Sequence, residues 1–186
     1  MNHQIAGDME GVSGPSLKLR LVEPDDAGYI QDLRMQPRYN RHLSPVTGDV
    51  EDQRNWILRY KQAEQRREQL YYVIERHDGC RCGLVRLYDI TPMAFTWGSW
   101  ILDENKPPKA ALESAMLSFY IGFGLLALPM ALVDVRIENE RAASLYRGFG
   151  MEETGVDEEN IYFHNHRDVF LGRLPEYVKL LEANSR

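Results

Sequence analysis

The hydrophobic period of this chain switches repeatedly between two residues and three to four, and the order of those switches is what most restricts its fold. Leu17-Lys18-Leu19-Arg20-Leu21 alternates at period two, the pattern of a half-buried strand. Glu23-Pro24-Asp25-Asp26 then supplies helix-start chemistry for a helix that turns Ala27, Ile30 and Leu33 inward. From Met35 to Gly48 there are two prolines and no period, so this stretch reads as a loop. Asp49 and Asp52 restart a helix with Gln53, Trp56, Ile57 and Tyr60 on one face. Three strand-like runs follow, Leu70 to Glu75, Gly83 to Tyr88 and Met93 to Leu102, joined by the turn signals His77-Asp78-Gly79 and Thr91-Pro92. Such short connections predict an antiparallel meander. From Lys106 to Leu126, apolar residues recur at helical steps, including Leu112, Ala115, Met116, Phe119, Tyr120 and Phe123. After Pro129, Ala131 to Ile137 reads as a buried strand, and Asn139 opens a helix with Ala142, Leu145, Tyr146 and Phe149 inside, stopped at Gly150. Met151 to Gly155 and Asn160 to Leu171 read as the last strands, with a short helix from Leu174 to Glu182. The order predicts an α/β fold: one mixed sheet of about seven mostly antiparallel strands, flanked by about four helices.

Composition narrows the function. The 186 residues suffice for one core, so residues 17–186 are expected to form a single domain, and the polar, glycine-bearing residues 1–16 a mobile tail. A formal charge of −6 disfavours a nucleic-acid or anionic-membrane surface. No apolar run approaches the roughly 18 to 20 residues of a bilayer span, and MNHQIAGDMEGVSGPS lacks the regions of a secretory leader, so a cytoplasmic location is expected. Cys80 and Cys82 are one residue apart, which suits neither a disulfide framework nor a four-ligand zinc site; reduced thiols and no metal are expected. Oligomeric state stays open, a homodimer resting on base rates alone.

The most specific pattern is Asp134-Val135-Arg136-Ile137-Glu138-Asn139-Glu140-Arg141-Ala142-Ala143-Ser144-Leu145-Tyr146-Arg147-Gly148-Phe149-Gly150-Met151: a strand, an asparagine, alanine three later, tyrosine four after that, then a glycine-apolar ending. Through this spacing and the element order, the chain from Leu17 to about Leu171 resembles the GNAT N-acetyltransferases. The resemblance implies a sheet splayed at its centre, acetyl-CoA as cosubstrate, and acetyl transfer to a primary amine of a small molecule, an amino sugar or similar, or of a protein N-terminus. On the residues themselves, Asn139 caps a helix and Tyr146, two turns on, shares its face and points at the sheet. A tyrosine so placed is ordinarily core; the resemblance makes Tyr146 the general acid that protonates the departing thiolate.

The resemblance also implies that Phe95 to Leu102 leaves its neighbour at a bulge, which Gly98 and Ser99 suit, and that Trp100, Ile101 and Leu102 offer backbone groups to the pantetheine arm and the thioester carbonyl. The family then expects Arg or Gln, two residues, Gly, one residue, and Gly or Ala. Here stands Lys106-Pro107-Pro108-Lys109-Ala110-Ala111, with Lys109 in place of the glycine. A helix starting at Pro108 leaves the amides of Lys109, Ala110 and Ala111 for the pyrophosphate, and Lys106 and Lys109 add charge. Asn139 and Tyr146 complete the expected cofactor contacts.

For the base that deprotonates the amine, Asp89 and Glu138 are the candidates, each equally readable as a turn or surface residue. His164 and His166 share a strand face with Tyr162 but have no third metal ligand nearby in sequence. Trp97, Trp100 and Tyr88 read as core, or as an aromatic wall around the acceptor. The runs Val85 to Ile90 and Ala111 to Met116 most resemble the amino-sugar and ribosomal-protein acetyltransferase branch, and Arg38 and Arg41 could meet a nucleotide diphosphate. A peptide acceptor would need an acidic groove instead. The rival to an enzyme is a non-catalytic acyl-CoA-binding or sensory module of the same shape, which the altered Lys106-Ala111 segment favours and the Asn139-Tyr146 spacing opposes.

Overall fold

A computed structural model describes residues 5–41 and 47–183, and places nine strands in one mixed sheet. In chain order the elements are β1 (Ala6–Gly7), β2 (Gly11–Ser13), β3 (Leu17–Leu21), a 3-10 turn (Pro24–Asp26) leading into α1 (Ala27–Met35), the short α2 (Pro37–Asn40), α3 (Val50–Gln65), β4 (Leu70–Arg76), β5 (Arg81–Tyr88) and β6 (Phe95–Leu102). There follow α4 (Ala110–Tyr120) with a π turn (Ile121–Leu125), β7 (Met130–Arg136), α5 (Glu140–Gly148), β8 (Glu152–Val156), β9 (Asn160–His166) and α6 (Arg167–Glu182). The sheet order is β1-β2-β3-β4-β5-β6-β7-β9-β8, and β6–β7 is its parallel pair.

The predicted meander and its flanking helices form where the period placed them. Asp49 caps α3 by accepting from the Glu51 and Asp52 amides at 2.9 and 3.0 Å, and Asp52 returns a bond to the Asp49 amide at 3.0 Å, a closed capping box. The sheet separates two apolar layers. On one face α1 and α3 bring Ile30, Leu33, Ile57 and Tyr60 against Tyr71, Val73 and Leu84. On the other, α4 and α6 bring Met116, Phe119 and Phe170 against Tyr72, Val85, Leu87 and Trp97.

Four expectations need correction. Residues 5–16 were expected in a mobile tail; instead β1 and β2 extend the sheet beyond β3, with Gly11 opposite Arg20 and Val12 opposite Leu19. The Asp8 carboxylate holds the turn by accepting from the Glu10 and Gly11 amides at 2.8 and 3.2 Å, and Val12 is fully buried. A single buried valine between glycines leaves no readable period, which is why the strands were invisible; residues 1–4 lie outside those described. The last strand ends at His166 rather than Leu171, because Phe170, Tyr177 and Leu181 are spaced to bury one face of α6 against α4. Helix α4 begins at Ala110, two residues after the expected start. Within the expected loop from Met35 to Gly48 lies α2, and residues 42–46 are outside the described part.

β6 carries the predicted bulge. Arg86 faces Gly98 and Leu84 faces Ile101, so Ser99 and Trp100 together oppose Val85, and Ser99 takes a positive φ of 49°. The extra residue reverses the side-chain alternation. Phe95 and Trp97 pack on the α4 face, whereas Ile101, of the same parity, packs on the α1–α3 face.

Candidate active site

β6 and β7 pair only at Phe95 with Ala131 and Thr96 with Leu132. Beyond that point β6 stays with β5 and β7 stays with β9 as far as Arg136, so the two strands part and their facing edges lack strand partners. The gap is the inner end of a cleft of about 670 Å³. Trp97 to Leu102 form one wall and Asp134 to Arg136 the other; Asn139, Arg141, Ala142, Leu145 and Tyr146 of α5 and its cap close one side; Lys106 and Ala111 stand at the mouth; Arg38 and Tyr39 reach in from the α1–α3 side.

Tyr146 lies where the spacing placed it. Its ring packs edge-on to Trp97 and Phe163, with centroids at 5.8 and 5.7 Å, and its hydroxyl has no hydrogen-bond partner among the described residues. Burial raises the phenol well above the ordinary tyrosine range, and the Asp134 charge raises it further. Asn139 caps α5 by accepting from the Ala142 amide at 3.2 Å. Trp100, Ile101 and Leu102 also line the cleft as expected. The Trp97 and Trp100 indoles are anchored to Ser118 at 2.8 Å and Ser114 at 3.1 Å, so both are structural as well as cleft-lining.

The pyrophosphate segment is rearranged relative to its expected form. Lys109 is the N-cap of α4 at φ 63°, a left-handed conformation that glycine adopts readily, and this accounts for the family's glycine at that position. Its ammonium bonds the Leu180 and Leu181 carbonyls, the latter at 3.2 Å, and therefore points at the end of α6 and away from the cleft. Ala110 is buried and outside the lining. Lys106 does line the mouth, with its ammonium 3.1 Å from the Asp103 carbonyl. Among the described residues the Ala111 and Leu112 amides have no protein acceptor, so the α4 N-terminus still presents free donors. The unpaired β6 edge, those amides and Lys106 fit an acyl-CoA.

The two base candidates are not brought into the cleft. Asp89 is exposed at a positive φ of 49° in the turn after β5, and Glu138 is exposed in the turn before α5. Among the described residues, the carboxylate that does line the cleft is Asp134. Its signal was present in sequence: an acid interrupting Ala131-Leu132-Val133-Asp134-Val135, an otherwise apolar strand. Arg38 lines the cleft and pairs with Glu104, while Arg41 does not reach it. His164 and His166 lie with ring centroids 6.3 Å apart, and no metal-holding cluster of three His, Cys, Asp or Glu occurs among the described residues. Burial pushes the Cys82 thiol up to about 12, leaving it a packing residue. No described helix is long and apolar enough to cross a membrane.

A parallel strand pair that parts inside a mixed sheet, with a tyrosine hydroxyl left unpartnered in the gap, defines the acyl-CoA N-acetyltransferase class of α/β protein. The family described as acetyltransferase (GNAT) domain matches residues 16–152, and the chain belongs to that family. Among solved structures it is similar to apo FdhC, a nucleotide-linked sugar GNAT, at 37% identity and a TM-score of 0.82 over 89% of this chain and 95% of that one. It shares its fold with spermidine N-acetyltransferase from Vibrio cholerae in complex with CoA and spermine (20% identity, TM-score 0.72, 83% and 98% coverage). It likewise shares the fold of ribosomal-protein-S5-alanine acetyltransferase from Vibrio fischeri (18% identity, TM-score 0.72, 85% and 97% coverage). A comparison with curated proteins gives no match. The protein is an acyl-CoA-dependent N-acetyltransferase.

Proposed function

We propose that the protein transfers an acetyl group from acetyl-CoA to the amino group of a nucleotide-linked sugar. The observation that carries the transfer chemistry is the Tyr146 hydroxyl, without a partner among the described residues, in the gap between β6 and β7 and near the Asp134 carboxylate. The acceptor class is supported by the 37% identity to a nucleotide-linked sugar GNAT. Arg38 and Tyr39 at the cleft give that acceptor a cation and a flat ring.

Each residue has a defined task. Asp134 takes the proton from the acceptor ammonium, directly or through a water, and frees the lone pair that attacks the carbonyl. Backbone N–H groups on the unpaired β6 edge steady the oxygen as it gains charge. Tyr146, held protonated by its raised pKa, gives its proton to the sulfur as the carbon–sulfur bond breaks. Lys106 and the Ala111 and Leu112 amides bind the cofactor's pyrophosphate.

The test is Tyr146→Phe, assayed with UDP- and dTDP-linked amino sugars, a free amino sugar, spermidine and a peptide beginning with alanine. The expected result is a kcat lower by about 100-fold or more, with acetyl-CoA affinity within twofold of wild type. An undiminished kcat would remove Tyr146 from the chemistry, and a preference for spermidine or the peptide would overturn the acceptor class.

A further inference from the structure

Arg86 projects from β5 on the α1–α3 face, directly across from Gly98 at the start of the bulge. Its guanidinium carbon lies 5.1 Å from the Tyr88 ring centroid, 5.3 Å from that of Trp56 and 5.9 Å from that of Tyr71. The Gln69 side-chain oxygen accepts one of its bonds. Among the described residues no carboxylate pairs with Arg86, and its Nε is buried without an acceptor, while the neighbouring Tyr71 hydroxyl is fully buried beside Arg34. Burial lowers Arg86 from the usual arginine range, the direction expected of a cation that has given up water without gaining an anion.

Aromatic faces only partly offset that lost hydration, and buried donors without acceptors are rare enough to need a reason. Arg20, by contrast, makes two bonds to Asp26 at 2.7 and 2.8 Å and one to Glu75 at 2.8 Å. Arg86 has no such carboxylate among the described residues.

Its place in the fold supplies the reason. Gly98 lines the cleft, and a Cβ added there would sit 3.3 Å from the Tyr88 hydroxyl oxygen, so Tyr88 connects Arg86 to the cleft wall. Arg38 and Tyr39 enter the cleft from this same α1–α3 side, opposite the α4 N-terminus assigned to the cofactor. Trp56, Tyr88 and Arg86 are all part-exposed, so a guanidinium fork and two flat rings stand together beside the cleft wall. A fork matches the paired oxygens of phosphate, and flat rings match a base or sugar face.

We propose that Arg86 seats the diphosphate of the acceptor, a nucleotide-linked sugar, between Trp56 and Tyr88. This deepens the proposed function and rests on its acceptor class. The probes are UDP, dTDP and inorganic pyrophosphate, titrated calorimetrically into the full chain with CoA present at saturation so that the cofactor's own phosphate site is filled. Separate titrations with acetyl-CoA report on the fold.

The expected outcome is that a nucleoside diphosphate binds wild type, that Arg86→Met weakens it at least tenfold, and that Arg86→Lys weakens it at least threefold, since an ammonium cannot fork. Acetyl-CoA affinity should stay within twofold in both; if the methionine variant fails to fold, the lysine variant decides. Nucleoside diphosphate affinity unchanged in the folded variants would overturn the seat while leaving the acceptor class standing. Wild type that binds acetyl-CoA but neither nucleoside diphosphate nor pyrophosphate would overturn both.

Discussion

At the scale of single residues, Lys109 shows how one position can look functional and serve the scaffold. A left-handed lysine costs about 1–2 kcal/mol relative to glycine, while its bonds to the last carbonyls of α6 return stability of similar size. Lys109→Gly should therefore shift urea-derived stability by less than about 1 kcal/mol and leave acetyl-CoA affinity within twofold. Lys106→Ala should weaken acetyl-CoA by about threefold to tenfold. Equal losses in the two variants would return Lys109 to the cofactor site. Sequence placed Tyr146 and Asn139 because one helix fixes their relation, and local periodicity is legible. It did not place Asp134 in the cleft because the period assigns a residue to a strand but does not reveal that the neighbouring strand has moved away. Asp89 and Glu138 lie outside the cleft for the converse reason: a turn adjoining a site in sequence can still face water.

Among the elements, the 3-10 turn into α1 is tied to the sheet by charge. Asp26, 3% exposed, accepts from two Arg20 nitrogens, from Arg81 at 3.3 Å and from the Glu23 amide at 2.8 Å. Burial pushes this carboxyl up, but those bonds outweigh it and hold Asp26 below the ordinary range. Its contribution is thus complete above the unfolded value of roughly 4 and is lost as pH falls through the depressed folded value. Asp26→Asn should cost about 2–4 kcal/mol at pH 7 by leaving Arg20 poorly matched. Between about pH 5 and pH 2, wild-type stability should fall more steeply than the variant's. Parallel curves from urea melts across that range would contradict this account. None of the clamp was readable beforehand, since it joins β3, β4, β5 and a turn that only the folded sheet brings together. The capping box at Asp49 and the hairpin at Gly79 were readable, because both are set by neighbours in sequence.

For the molecule as a whole, β1 and β2 cover what would otherwise be the open edge of β3. They bury Val12, and Tyr72 donates a bond to the Met9 carbonyl at 2.7 Å. Removing residues 1–13 should expose a row of unpaired β3 backbone groups and lower stability by about 2–4 kcal/mol. Light scattering should then show concentration-dependent association, and a variant as stable and monodisperse as wild type would count against the hairpin's covering role. The bulge in β6 acts at the same scale. Because the count of residues shifts by one at Ser99 and Trp100, the strand is written in two reading frames, one inward on the α4 side and the other inward on the α1–α3 side. Odd-numbered side chains thus face the α4 layer before the bulge and the α1–α3 layer after it, so the same parity reaches opposite faces of the sheet. Deleting one residue at the junction would merge the two frames and turn Ile101 out of the layer it now fills.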